Sequence, residues 1–62
     1  MNKWYEGIDI NLKRLEEGRY ALRSIEWVAD RIAWCWKWRK ITEEEMNELT
    51  ERVIRYNERN KV

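Results

Sequence analysis

The chain reads as an all-α protein, and within that class as a two-helix antiparallel hairpin. Three observations carry the expectation. The 62 residues contain no proline and only two glycines, Gly7 and Gly18, so the punctuation of a multi-stranded β protein is missing. Between residues 9 and 40, aliphatic positions recur at helical spacing: Leu15, Leu22, Ala29 and Trp36 lie seven apart, with Ile25 and Ile32 seven apart between them. The segment "ITEEEM" at 41–46 then supplies a complete helix start.

Residues 1–8 are read as an irregular N-terminal arm of a single 62-residue domain, and the first helix is expected over 9–40. Asp9 is its candidate N-cap, and Lys37, Arg39 and Lys40 place positive charge beside its last carbonyls. Gly18 weakens such a helix by about 1 kcal/mol relative to alanine, which leaves a kink or a later start open at that position. The second helix is expected over 42–59. Thr42 caps it, Glu45 closes a capping box, Ile41 and Met46 are placed as a hydrophobic staple, and Glu43, Glu44 and Glu45 fill the first turn. Met46, Leu49, Val53 and Tyr56 give it an apolar stripe, with Arg52, Arg55 and Arg59 gathered toward its end. So short a connection makes the helices antiparallel neighbours, with the basic end of the first facing Glu43, Glu44, Glu45 and Glu48. A chain this small buries a modest core, so a homodimer resembling a four-helix bundle is the expected assembly.

The tryptophans set a second question. Four of the five lie in "WVADRIAWCWKWRK", residues 27–40. At about 100° per residue from Leu15, the residues Ala21, Leu22, Ile25, Ala29, Ile32 and Trp36 fall between roughly 240° and 0°, whereas Tyr20, Trp27, Trp34 and Trp38 fall between roughly 100° and 140°. The first helix is thus apolar on two faces, and one partner helix covers only one of them. The aliphatic face is assigned to the hairpin seam. The aromatic stripe is then left for a second copy or a foreign partner, since contiguous exposed apolar patches mark interaction sites and Trp, Tyr and Arg dominate interface hot spots. The competing reading makes the stripe ordinary core, covered by the second helix or by Trp4, Tyr5 and Ile8 folding back. The expected protein interface is Tyr20, Arg23, Trp27, Arg31, Trp34 and Trp38.

Chemistry is sparsely provided. There is no histidine, the commonest general base and metal ligand. Ser24, Thr42, Thr50 and Cys35 therefore have no histidine to activate them, and Cys35 between two tryptophans reads as a small buried hydrophobe. No catalytic, cofactor-binding or metal-ligating set is expected, and no cofactor. The acidic pair Glu26 and Asp30 has Arg19, Arg23 and Lys37 on its strip, and the run at 43–45 is helix N-terminal charge. A lone cysteine fits a reducing compartment, and no apolar run approaches a membrane span, so the expected location is cytoplasmic. Thirteen basic against twelve acidic residues give no overall drive toward polyanions. Local clustering leaves one alternative: Lys37, Arg39 and Lys40 beside Trp36 and Trp38 suit a nucleic-acid contact, though the glutamates that follow oppose it. Binding to a membrane surface is weaker still, because acidic residues interrupt both polar strips.

The stretch "WKWRKITEEEMNELTERVI", residues 36–54, resembles the aromatic-basic turn and "ITEEE" helix start of small phage- and prophage-encoded helical proteins. The resemblance implies a phage accessory product acting in the bacterial cytoplasm. Tiny proteins of that kind without catalytic residues work as stoichiometric inhibitors of host or defence machinery, anti-CRISPR proteins being the familiar class. The expected function is accordingly non-catalytic protein–protein interaction of the inhibitor type through the tryptophan-rich surface, with a nucleic-acid-binding regulator or a structural assembly subunit as alternatives.

Overall fold

The structure, a computed structural model, describes residues 2–61. Among them are three α-helices, α1 (Lys3–Glu16), α2 (Ile25–Lys37) and α3 (Glu43–Arg59), and no strand. The all-α class holds, but the two-helix hairpin does not. A continuous helix over 9–40 would be about 48 Å long, whereas the molecule's longest extent is 33 Å. Its radius of gyration, 11.1 Å, is close to the roughly 10.6 Å of a compact chain this long.

The expected long helix is broken at Gly18, and the reason is local. Gly18 adopts φ +70°, the left-handed conformation that closes a helix C-terminus. Its N–H donates to the Leu15 carbonyl at 3.1 Å, and the next N–H, that of Arg19, donates to the Arg14 carbonyl at 2.8 Å. This pair of bonds satisfies carbonyls that the helix would otherwise leave open. The chain restarts at Ser24, whose Oγ accepts from the Trp27 N–H at 3.2 Å. Between the two helices, buried Asn11 pairs with the backbone of Arg23: its Nδ2 donates to the Arg23 carbonyl at 3.1 Å and its Oδ1 accepts from the Arg23 N–H at 3.2 Å.

The N-terminal arm is also corrected, because residues 3–8 are the start of α1. Asn2, not Asp9, is the N-cap, accepting from the Trp4 N–H at 2.9 Å. Tyr5, Ile8, Leu12 and Leu15 share one helical face; Ile8 and Leu12 are fully buried on it. Their burial draws α1 across the other two helices.

α2 ends in the same manner as α1 but with Arg39 in the left-handed position, at φ 56°. Lys40 N–H reaches the Cys35 carbonyl at 2.7 Å and Arg39 N–H reaches the Trp36 carbonyl at 3.0 Å. Arg39 holds this conformation while its guanidinium stacks 4.2 Å from the Trp36 ring centroid and Nη1 donates to the Trp36 carbonyl. α3 opens with the expected capping box, Thr42 Oγ1 accepting from Glu45 N–H at 3.1 Å and Glu45 Oε1 accepting from Thr42 N–H at 2.9 Å.

The core joins Ile8 and Leu12 of α1, Val28, Ile32 and Cys35 of α2, Ile41, and Leu49 and Val53 of α3. Because α2 packs between two helices, its inward face is centred on Val28, Ile32 and Cys35; the expected seam residues Leu22 and Ala29 are exposed. Arg52 ties α3 to α1, donating through Nε and Nη2 to Glu16 (3.1 and 2.8 Å) and through Nη1 to Asp9 (2.6 Å). Tyr5 Oη donates to Glu48 Oε2 at 2.6 Å, and Asn2 Nδ2 reaches the Lys40 carbonyl at 2.7 Å and Glu45 Oε1 at 3.2 Å. The expected pairing of Lys37, Arg39 and Lys40 with the α3 glutamates is replaced by these contacts, since none of those three cations forms a salt bridge among the described residues.

Candidate functional site

Breaking the first helix leaves the aromatic stripe of α2 intact, because Trp27, Trp34 and Trp38 all lie within or directly after α2, where the 3.6-residue repeat still applies. Their neighbour is now α1. Trp4 comes up beside Trp34 with ring centroids 5.5 Å apart and a tilt of 38°, and Trp34 meets Trp38 at 6.3 Å. Trp4, Trp34 and Trp38 remain 42, 40 and 56% exposed, while Trp27 is half-buried against α1 and packs on the core.

Cations thread this ladder. Arg31 lies 5.2 Å from the centroids of both Trp27 and Trp34, and Arg23 lies 5.2 Å from Trp27 on its other flank. Lys37 sits over Trp38 at 5.6 Å and Lys40 over Trp4 at 5.5 Å. Each contact contributes about 0.5–1 kcal/mol at an exposed site, and together they favour one arrangement of these long side chains. α1 completes the face: Lys3, Trp4 and Gly7 line a shallow depression with Trp27 and Arg31, and Gly7, Ile10 and Arg14 line the next one with Leu22, Arg23 and Trp27. At Gly7, nothing stands within 4 Å of where a Cβ would be, so the floor of the face is open between Trp4 and Trp27.

Of the expected interface residues, the structure brings together Arg23, Trp27, Arg31, Trp34 and Trp38. Tyr20 is not among them. It lies in the 17–24 connection, 81% exposed, because the helix that would have carried it into the stripe ends at Glu16. The alternative nucleic-acid set divides: Lys37 and Lys40 flank the ladder, whereas Arg39 stacks on Trp36. Trp4, Lys3 and Arg14 are additions from α1. Their signal is the helical spacing of Tyr5, Ile8, Leu12 and Leu15, which begins ahead of residue 9.

The cations of this face, Lys3, Arg14, Arg23, Arg31, Lys37 and Lys40, form no salt bridge among the described residues. Acidic side chains concentrate instead on α3 and on the side of α1 that faces it, where Asp9 and Glu16 meet Arg52. Asp30 borders the ladder, beside Trp27, Arg31 and Trp34. Burial pushes the Cys35 thiol above its ordinary value, with Arg31 and Lys40 acting weakly the other way, so the group is held as an unreactive thiol inside the core. Among the described residues no three or more His, Cys, Asp or Glu are grouped to hold a metal ion, and no helix is long and apolar enough to cross a membrane. No family model, curated protein or solved structure matches this chain.

Proposed function

We propose that this chain is a small non-catalytic binding protein that docks its tryptophan and arginine face against an acidic, apolar-edged patch of another protein. The observation that supports the reading is the segregation of charge. A formal net charge of +1 hides one face in which six cations surround four tryptophans without a salt bridge among the described residues. Tryptophan and arginine are the side chains that carry most interface energy. Stacking Arg31 between two indoles lowers the entropy lost when it meets a carboxylate. Occlusion of one surface in a 1:1 complex needs nothing more, and that is how an inhibitor of the phage accessory kind, which residues 36–54 resemble, would act in a bacterial cytoplasm.

A displayed peptide library selected on the wild-type chain, and counter-selected on a Trp34→Ala, Arg31→Glu variant, tests the proposal. The expected winners carry Asp or Glu around an aromatic or aliphatic anchor and lose about tenfold or more in affinity for the variant, as hot-spot removal does. Peptides without acidic residues, or binding that survives the variant unchanged, would refute it.

A second reading is favoured by the same unpaired cations: a single-stranded nucleic acid could stack on Trp38 and run past Lys37 and Lys40. Binding of labelled oligo-dT with an affinity that falls steeply as salt rises would favour it. Absence of binding at low salt would remove it. The exposed Glu43 and Glu44 immediately beyond Lys40 oppose a polyanion there, which is why the protein partner is preferred.

A further inference from the structure

The face of α2 turned away from the tryptophan ladder lines an apolar groove of about 330 Å³ between α2 and α3, walled by Ala29, Ala33 and Trp36 on one side and Met46, Thr50 and Val53 on the other. α1 contributes nothing to it. The two alanines leave room for another backbone to approach closely, at the 8–10 Å separation of packed helices.

Along the outer edge of the groove, Glu26, Asp30, Ala33 and Lys37 follow the i, i+4, i+7, i+11 spacing of one straight stripe on α2. Arg39, stacked over Trp36, adds a second positive charge at the same end as Lys37. The stripe is therefore acidic toward the start of the helix and basic toward its end, with Ala33 between. None of Glu26, Asp30, Lys37 and Arg39 forms a salt bridge among the described residues. An identical stripe run antiparallel across it, pivoting on Ala33, sets Glu26 and Asp30 against Lys37 and Arg39 of the other copy twice over. That is the self-complementarity a two-fold interface requires. The surface supports it: the chain exposes 4864 Å², roughly a tenth more than the ~4,400 Å² of a compact monomer of its mass. A standard interface buries about 800 Å² per partner, roughly a sixth of that exposed area.

We propose that the occupant of the α2–α3 groove is a second copy of this chain, with α2 packed antiparallel on α2 of its partner about Ala33. The two tryptophan faces, about 100° round α2 from Ala33, are then left outside the dimer contact, and the dimer is a divalent binder. This assembly stands independently of what the tryptophan face binds.

Sedimentation equilibrium over a wide concentration range on the wild type and four variants, Trp34→Ala among them, tests the arrangement. The wild type is expected to dimerise. Ala33→Glu, at an exposed position that leaves the monomer's core untouched, is expected to weaken dimerisation about thirtyfold or more, as loss of a central contact does. The charge-reversed chains Glu26→Lys, Asp30→Lys and Lys37→Glu, Arg39→Glu are each expected to lose self-association and to recover it when mixed. A wild-type chain that stays monomeric to its solubility limit would overturn the proposal, whether the groove is empty or kept for a foreign helix. So would a dimer that withstands Ala33→Glu but dissolves with Trp34→Ala, or charge-reversed chains that fail to pair with each other.

Discussion

Arg52 is the polar group on which the packing of α1 against α3 most depends, and replacing it with methionine gives the sharpest test of that packing. Methionine keeps the apolar stem and removes the three charge-assisted hydrogen bonds to Glu16 and Asp9. It also leaves two carboxylates facing one another with no cation between them. The side chains of Arg52, Asp9 and Glu16 are 16, 25 and 26% exposed, so the network lies between an exposed pair, worth about 0.2–1 kcal/mol, and a buried one, whose breakage costs about 3–5 kcal/mol. An intermediate loss of about 2–3 kcal/mol follows. The Glu16 carboxylate, with Asp9 beside it, holds the Arg52 guanidinium still further above its ordinary value against the opposing effect of burial, so arginine's side of the interaction is unaffected by alkaline pH in the working range. For a 62-residue domain of about 3–9 kcal/mol total stability, the loss lowers the thermal midpoint by roughly 10–20 °C. Urea titrations followed by circular dichroism measure it, and repeating them in a Glu16→Gln background isolates the coupling. A variant within about 0.5 kcal/mol of wild type would mean that desolvation cancels the attraction, and that apolar contacts alone hold α1 on α3.

The two glycines are expected to respond with opposite sign to the same substitution. Gly18→Ala forces a Cβ into the left-handed region and costs about 1 kcal/mol, while Gly7→Ala, inside α1 with open space at its Cβ, gains about 1 kcal/mol; equal shifts in the urea midpoint would refute both assignments. Asn11→Leu removes both bonds to the Arg23 backbone and leaves that peptide group without its partners, for an expected loss of about 2 kcal/mol, whereas a neutral effect would place the α1–α2 connection under other control. Tyr5 is pushed up to about 12, chiefly by its hydrogen bond to the Glu48 carboxylate. A raised acidic group stabilises the fold fully below its unfolded value of 10.0 and loses that contribution as pH climbs through about 12. Tyr5→Phe is therefore expected to be about 1 kcal/mol less stable than wild type at neutral pH, with the gap closing across that alkaline window; a gap independent of pH would refute the bond.

The parts of this fold that were legible in the sequence are those decided within one or two turns of chain. Thr42 and Glu45 form the capping box that their spacing announces, because its bonds join backbone and side chain three residues apart. Gly18 carried the decisive information about the break, but a glycine in a helical pattern is equally a weak link or an end. What settles the matter is tertiary: ending α1 there lets Ile8 and Leu12 reach the core with Val28, Cys35 and Leu49, which a straight helix would have held tens of ångströms away. The apolar pattern that continues past Gly18 arises because both helices face one core. Ser24, the N-cap directly before Ile25, was the local sign that a new helix begins.

The tryptophan stripe was legible despite the wrong helix count for the same reason. Trp27, Trp34 and Trp38 share α2, and a helix's face depends on its own repeat, not on what precedes it. Tyr20 was misplaced because its membership relied on the repeat crossing Gly18, and Trp4 was missed because it joins Trp34 only through the packing of α1 on α2. The break also changes which surfaces compete. In a two-helix hairpin the stripe would be the only large apolar face and self-association would have to consume it. In the three-helix fold α1 flanks the ladder on one side of α2, and the opening between α2 and α3 lies on the other, with its own charge pattern and its own alanine-lined floor. The proposed dimerisation and partner binding then draw on largely separate residues, with Asp30 and Lys37 at the boundary between the two surfaces. Ala33→Glu and Trp34→Ala, adjacent in sequence but about 100° apart on the helix, should therefore act separately, one on assembly and the other on recognition.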